Sequence, residues 1–195
     1  MDMPNIIKVS LEESSLLSSK MSLDEDFISA LGNASDLLIE TFRNKGKILL
    51  AGNGGSAADC QHIAAEFIGR LNFDRNALPA IALTANTSNL TCIANDYGYD
   101  KVFSRQISAL AQPNDSLIVY STSGKSSNIL ELVRVARDQL KTIISLTGQY
   151  TDDLEQYSDV VISVNSNKTT RIQEIHALAG HILCECVEET LFVKK

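Results

Sequence analysis

A glycine-rich turn and the helix after it carry a histidine and a glutamate that could act on one ligand. The apolar run 47–51 leads into Gly52-Asn-Gly-Gly-Ser56, and His62 and Glu66 follow four residues apart. Glycines let backbone N–H groups approach an anion, a helix N-terminus adds partial positive charge, and Ser56 is predicted to cap the helix. Since residues four apart share a helix face, His62 and Glu66 could form an acid/base pair or bind one metal ion. A plain strand-to-helix turn with a surface His–Glu pair explains this segment equally well when it is taken alone.

A second turn, Ser121-Thr-Ser-Gly-Lys-Ser126, brings several hydroxyl groups and one cation together at another strand-to-helix junction. Hydroxyls and backbone N–H groups at a helix start suit a phosphate monoester. A nucleotide-binding P-loop is excluded because it would need glycine at position 119, which is valine. The alternative to a phosphate site is a solvated serine turn.

The last helical pattern holds two of the three histidines of the chain, in Arg171-Ile-Gln-Glu-Ile-His176 and at His181. Gln173 and His181 lie eight positions apart, about two turns plus 80°, so both could reach one site from one side of the helix. His176 is interpreted as a helix-face residue without a ligand.

Composition limits the class of protein. The chain has 195 residues, 44% of them hydrophobic, and a net charge of −7, which indicates one globular domain and disfavours bulk binding to nucleic acid or to an anionic membrane. The N-terminus lacks the basic and apolar regions of a signal peptide, so a cytoplasmic location is expected. The four cysteines lack the C-x-x-C pairs of a zinc ribbon and are predicted to be buried, reduced thiols.

Strand and helix patterns alternate along the chain. This order predicts a doubly wound, three-layer α/β sandwich with a five-stranded parallel sheet, which binds ligands at the carboxyl ends of its strands. Residues 5–20 could be a helix or a loose arm. Strands are expected at 47–51, 78–83, 116–120, 141–146 and 160–164, and helices at 23–44, 56–70, 86–95, 99–111, about 127–140 and 170–192.

Taken together, the two turns, the His62/Glu66 pair, Asn95-Asp96 and the last helix resemble the sugar isomerase (SIS) family, and more narrowly its phosphoheptose isomerases. The resemblance extends from about residue 23 to 191. It implies a single SIS domain over 1–195 with an N-terminal helical arm at about 1–45, assembled as a homotetramer with its sites between subunits. It also implies conversion of sedoheptulose 7-phosphate to D-glycero-D-manno-heptose 7-phosphate, an early step of nucleotide-activated heptose synthesis for lipopolysaccharide or capsule.

The resemblance assigns residues to this reaction. One Zn²⁺ per subunit would be bound by His62, Glu66, Gln173 and His181. Glu66 would be the base that takes the carbon-bound proton and His181 the acid that serves the carbonyl oxygen. If both are metal ligands, they cannot also be a free base and acid without ligand exchange, and zinc could be a Lewis acid or an organising ion. Contacts with the substrate are expected from Asn53, Gly54, Gly55, Ser56, Glu66, Asn95, Asp96, Ser121, Thr122, Ser123, Ser126 and Gln173.

Two other functions stay open. A non-catalytic SIS tetramer could bind a protein partner such as the bacterial replication initiator, although the relative that does so has replaced the residues equivalent to Glu66 and His181. An isomerase of another sugar phosphate, a pentose or a hexulose phosphate, is the second alternative. Lys125 stands where the family commonly has Asn, and it would either strengthen phosphate binding or point to solvent.

Overall fold

The computed structural model describes residues 2–193, and its centre is one parallel sheet of five strands. Neighbouring strands are parallel throughout, in the order β2-β1-β3-β4-β5. Parallel neighbours need a crossover between them, and helices supply these crossovers. The sheet confirms the predicted fold class. Its strands are β1 (Ile48–Gly52), β2 (Ala80–Ala82), β3 (Ser116–Ser121), β4 (Thr142–Thr147) and β5 (Val160–Ser163).

Helices cover both faces of this sheet. The helix expected at 99–111 is instead a 3-10 turn (Tyr99–Lys101) followed by a short α-helix, and Val102 and Phe103, which lie between them, are both buried. One four-residue helix, α7, was not predicted. The α-helices are α1 (Met3–Met21), α2 (Glu25–Arg43), α3 (Gly55–Ile68), α4 (Thr87–Tyr97), α5 (Ser104–Leu110), α6 (Ser127–Arg137), α7 (Asp152–Glu155) and α8 (Thr169–Phe192).

Two apolar clusters separate the layers. Alternate strand residues point to opposite faces, so Leu50 and Ile118 pack with α2, α3 and α8, whereas Leu49 and Val119 pack with α5 and α6. The core therefore lies on both sides of the sheet, as in the predicted three-layer sandwich. Within residues 2–193, no helix has both the length and the apolar character needed to cross a membrane.

The N-terminal segment forms the helix α1, which lies against the start of α8. Arg171 on α8 donates a hydrogen bond from Nη1 to the Ser10 carbonyl oxygen at 2.6 Å, and Lys168 pairs with Glu13. Of the two possibilities for residues 5–20, the structure shows the helix.

The prediction of buried thiols holds for only part of the cysteines. Cys60 and Cys184 are buried and Cys186 is half-buried, but Cys92 is exposed. The prediction was wrong for Cys92 because α4 lies at the surface and buries none of its residues. All four cysteines are free thiols.

Candidate active site

The two turns leave the sheet side by side. β1 and β3 are neighbours with Gly52 in register with Tyr120, so the β1–α3 and β3–α6 turns both lie at the carboxyl edge of the sheet. Asn53 and Asn128 exchange side-chain hydrogen bonds of 2.8 and 2.9 Å, and Tyr99 donates to Asn53 Oδ1 at 3.1 Å. The buried Asn128 therefore links the β1–α3 turn to the start of α6, the helix that follows the β3–α6 turn.

Glycines shape the first turn. Gly54 occupies the N-cap of α3 with φ of 56°, a left-handed conformation that disfavours a side chain. A Cβ on Gly52 would lie 2.9 Å from Ser56 Cβ, so the strand can approach the helix only through glycine. The prediction that Ser56 caps α3 was wrong, because the helix already begins at Gly55 and Ser56 is buried in its first turn.

The second turn presents hydroxyl groups at the start of α6. Ser126 is the N-cap residue of α6, and the Ser123 hydroxyl accepts the backbone N–H of Lys125 at 3.2 Å. Ser121 is buried, and its Oγ has no hydrogen-bond partner among residues 2–193. A buried hydroxyl of this kind normally has a partner, so Ser121 can serve a ligand. Thr122, next to it, is half-buried.

Lys125 is placed by the neighbouring loop. Its Nζ lies 3.9 Å from the centroid of the Tyr150 ring, a cation–π geometry. Lys125 is nevertheless exposed, above a ring that is itself 52% exposed, so both expectations for Lys125 remain predictions.

Three side chains from α3 and α8 meet in one cluster. His62 Nε2 lies 2.8 Å from His181 Nε2 and 3.6 Å from Glu66 Oε1, and one ligand atom from each residue lies within 4.8 Å of the others. Four ligands around zinc stand about 3.3 Å from one another, and these two distances bracket that value. Two imidazoles and one carboxylate are a nitrogen and oxygen donor set that fits a divalent metal such as zinc.

A close approach of α3 and α8 creates this cluster. A Cβ on Gly180 would lie 2.7 Å from Ile63 Cδ1, so only glycine lets the two helices come this near beside His181 and His62. Gln173 lies two turns before His181 on α8, and its amide packs on Gly55, where an added Cβ would lie 2.5 Å from Nε2. Gln173 therefore joins the glycine turn to the helix that carries His181.

Asp59 is a site residue that the sequence reasoning missed. It is half-buried on α3, where burial raises the pKa of its carboxyl and the nearby His62 and His181 lower it in part. Its position three residues before His62 and seven before Glu66 on one helix face was the available signal. Asp59 is therefore a second carboxylate whose charge is influenced by the two histidines of the cluster.

Among residues 2–193, Asn95 and Asp96 are hydrogen-bonded to each other rather than to the two turns. Both are exposed near the end of α4, and Asn95 Nδ2 donates to Asp96 Oδ1 at 2.8 Å. In the described part of the chain, no hydrogen bond joins them to the two turns or to the His62 cluster. The prediction that they contact the same substrate is not tested by one chain.

Comparisons with known proteins agree with this architecture. A family model for the SIS domain matches residues 14–148. A phosphoheptose isomerase of Burkholderia pseudomallei is 47% identical over 186 residues, which is 95% of this chain and 94% of that protein. The structure of a phosphoheptose isomerase from Neisseria gonorrhoeae superposes with a TM-score of 0.89 at 38% identity, covering 96% of this chain and 100% of that one. One from Francisella tularensis gives 0.91 at 32%, covering 97% and 100%.

The fold and these matches place the chain in the SIS domain family. Within that family, the chain belongs to the phosphoheptose isomerases, as the resemblance implied. The family model ends before α8, so Gln173 and His181 lie outside the part it matches.

Proposed function

We propose that this protein isomerises sedoheptulose 7-phosphate to D-glycero-D-manno-heptose 7-phosphate, supplying an early step of nucleotide-activated heptose synthesis. The observation that carries this proposal is the Glu66 carboxylate lying with two imidazoles where α3 meets α8, together with two turns suited to a phosphate at the carboxyl edge of the sheet. Aldose–ketose isomerisation needs a base at carbon, an acid at the carbonyl oxygen and a fixed phosphate, and the cluster and the two turns offer these groups.

Glu66 and His181 would each have two tasks, as a zinc ligand and as the base or the acid, and these tasks require ligand exchange during the reaction. Glu66 removes the proton from the carbon next to the carbonyl, and His181 protonates the oxygen as the enediol forms. Ser121, Thr122, Ser123 and Ser126 hold the phosphate with the α6 N-terminus, and the glycine turn with Ser56 orients the sugar. Zn²⁺ bound by His62, Glu66, Gln173 and His181 would polarise the carbonyl as a Lewis acid.

We also propose that the chain is a single SIS domain with an N-terminal helical arm, and that it works as a cytoplasmic homotetramer with sites between subunits. An exposed apolar groove between α2 and α8 supports the assembly, with Ile28 46% and Leu178 43% exposed. The exposure of Asn95 and Asp96 on α4 supports a site completed by a second subunit.

The test is the conversion of sedoheptulose 7-phosphate by protein of defined zinc content, followed by NMR of the sugar. Sedimentation of the same sample first establishes whether the protein is a tetramer. Glu66→Gln is expected to abolish conversion, because an amide cannot take a proton from carbon. If inactive Glu66→Gln still binds zinc, the lost function of Glu66 is that of the base. If it binds no zinc, Glu66 is needed as a metal ligand. Glu40→Gln, on the exposed face of α2, is the matched control and is expected to stay active.

Other outcomes identify the alternatives. A folded tetramer that converts nothing with or without zinc would favour binding of a protein partner. Turnover only of a pentose or hexulose phosphate would keep the reaction type and change the substrate. Full activity in Glu66→Gln would overturn the assignment of the base.

A further inference from the structure

A buried arginine closes the helix that carries His62 and Glu66. The last carbonyl oxygens of an α-helix have no partner within it. At the end of α3, Arg75 donates from Nη2 to the Glu66 carbonyl at 2.7 Å and from Nη1 to the Phe67 carbonyl at 2.7 Å. It also reaches the Gly69 carbonyl at 3.3 Å. The guanidinium therefore caps the C-terminal end of α3 by binding its free carbonyl oxygens, and its positive charge interacts favourably with the helix dipole there.

The same arginine is tied to α8. Its Nε donates to Glu188 Oε1 at 2.7 Å, and both side chains are almost completely buried, with 1% and 0% exposed. The Glu188 carboxylate also accepts the backbone N–H groups of Leu71 and Asn72 at 2.9 and 3.0 Å. Burial raises the pKa of Glu188, but these hydrogen bonds and Arg75 outweigh it and the pKa is lowered, so the carboxylate stays charged.

Glu188 shares a helix face with His181. The two lie seven residues apart on α8, almost two full turns, so both face α3. Glu66 belongs to the turn of α3 whose carbonyl oxygen Arg75 holds. Arg75 thus links the backbone of Glu66, the proposed base, to Glu188. Glu188 lies on α8, the helix that carries His181, the proposed acid.

We propose that Arg75 and Glu188 are positioning residues that set the distance between the Glu66 carboxylate and the His181 imidazole, and so the rate of the chemical step and the affinity for metal. Within residues 2–193, neither side chain hydrogen-bonds to the side chain of His62, Glu66 or His181. This inference rests on the proposed function, because it assigns the pair to the chemistry of Glu66 and His181 rather than to stability alone.

A positioning role predicts a particular kinetic pattern. The phosphate turns lie at the other end of α3, so loosening its C-terminus should lower kcat and leave the KM for the sugar phosphate almost unchanged. A small displacement of a catalytic group can cost about 100-fold in rate, and loss of a residue that orients metal ligands usually costs about 10- to 100-fold in metal affinity. A purely structural pair would lower the fraction of folded protein and change neither value for the protein that remains folded.

The variant to make is Arg75→Lys, which keeps the charge but cannot bind the carbonyls of α3 and Glu188 together. The chain offers a matched control. Arg137 donates to the Leu140 and Lys141 carbonyls beyond the end of α6 at 2.9 and 2.8 Å and pairs with Asp159 at 2.9 Å, away from the cluster. Arg137 is more exposed than Arg75, so folded protein is quantified for both variants by sedimentation and circular dichroism.

Two measurements decide the question: kcat and KM for sedoheptulose 7-phosphate, and the Zn²⁺ affinity of apoprotein in competition with a chelating dye. For Arg75→Lys, we expect kcat at least about tenfold lower and zinc affinity about 10-fold weaker, with unchanged values for Arg137→Lys. If Arg75→Lys does not fold, Glu188→Asp keeps the charge that Arg75 needs and tests the same contact.

Unchanged kcat and zinc affinity in folded Arg75→Lys or Glu188→Asp would overturn the positioning role. An equal loss in Arg137→Lys would do the same, since it would show a general effect of helix capping. The proposed function fails separately: wild-type protein would then neither convert the sugar phosphate nor bind zinc.

Discussion

His176 should make the protein unstable in mild acid. It is completely buried on α8, with Nε2 3.1 Å from the Thr147 carbonyl oxygen and its ring against the edge of Tyr120 at a centroid distance of 5.9 Å. A carbonyl accepts only from N–H, so Nε2 carries the proton of the neutral ring. Nδ1 has no hydrogen-bond partner within residues 2–193. A second proton would thus be buried without a partner, and burial lowers the pKa of His176 to about 4.

The size and direction of the effect follow from linkage. In the unfolded chain a histidine has a pKa of about 6.5. Because the native pKa is lower, the unfolded state binds the extra proton first, and native stability falls as the pH falls from about 6.5 to about 4. The interval corresponds to about 3–4 kcal/mol in total, at about 1.4 kcal/mol per pH unit. Above about pH 7.5 and below about pH 3 this residue adds no further pH dependence.

The assay is urea unfolding at several values between pH 7.5 and 4, at one protein concentration because assembly contributes to stability. His176→Gln retains an N–H that can reach Thr147 and removes the titration. We expect the free energies of unfolding of the wild type and His176→Gln to converge as the pH falls. Parallel curves would refute the reasoning, since the two proteins differ only at position 176.

Two contacts near the site give further predictions. Gly180→Ala should push α8 away from α3 at Ile63 and weaken zinc binding and kcat, since overpacking costs about 1–3 kcal/mol against a gain of about 1 kcal/mol in helix propensity. Ile63→Ala, which removes both the Cδ1 and the Cγ1 atoms that crowd an added Cβ, should restore activity in that background, and a Gly180→Ala protein of higher stability and normal zinc affinity would contradict the close approach. Asn128→Ala removes both hydrogen bonds to Asn53 and should raise the KM for the sugar phosphate about 30-fold, at about 1 kcal/mol per bond. Tyr99→Phe, which removes one exposed bond, should change KM less, and equal KM values for all three proteins would show that the tie between the turns does not organise the substrate site.

The sequence predicted the sheet and the two turns because their signals are local. Apolar runs of strand length, each ending in glycine or serine, define β1 and β3 with their turns within a few residues. The boundaries failed where tertiary contacts decide. α3 starts at Gly55 rather than Ser56 because Gly54 adopts the left-handed conformation, and the predicted 99–111 helix is divided at Val102 and Phe103, which are both buried.

Other features had no local signal. Arg75 and Glu188 look like ordinary charged residues until the fold brings positions 113 apart into contact. His176 is in the same situation, because its spacing on α8 fits a helix face but does not show that the face is fully covered. Contacts between residues so far apart in the sequence are set by the packing of the folded chain, and a single sequence does not reveal them.

The cluster is built from two distant parts of the chain, and this determines where activity is vulnerable. His62 and His181 are 119 positions apart, yet their Nε2 atoms lie 2.8 Å from each other. No covalent or local constraint maintains that distance, so it depends on how α3 packs on α8. Near the cluster, the lack of a side chain at Gly180 lets α8 approach Ile63 on α3. At the C-terminal end of α3, the Arg75–Glu188 ion pair holds the two helices together. Changes at these contacts should therefore act on kcat and metal affinity, whereas changes in the two turns should act on KM.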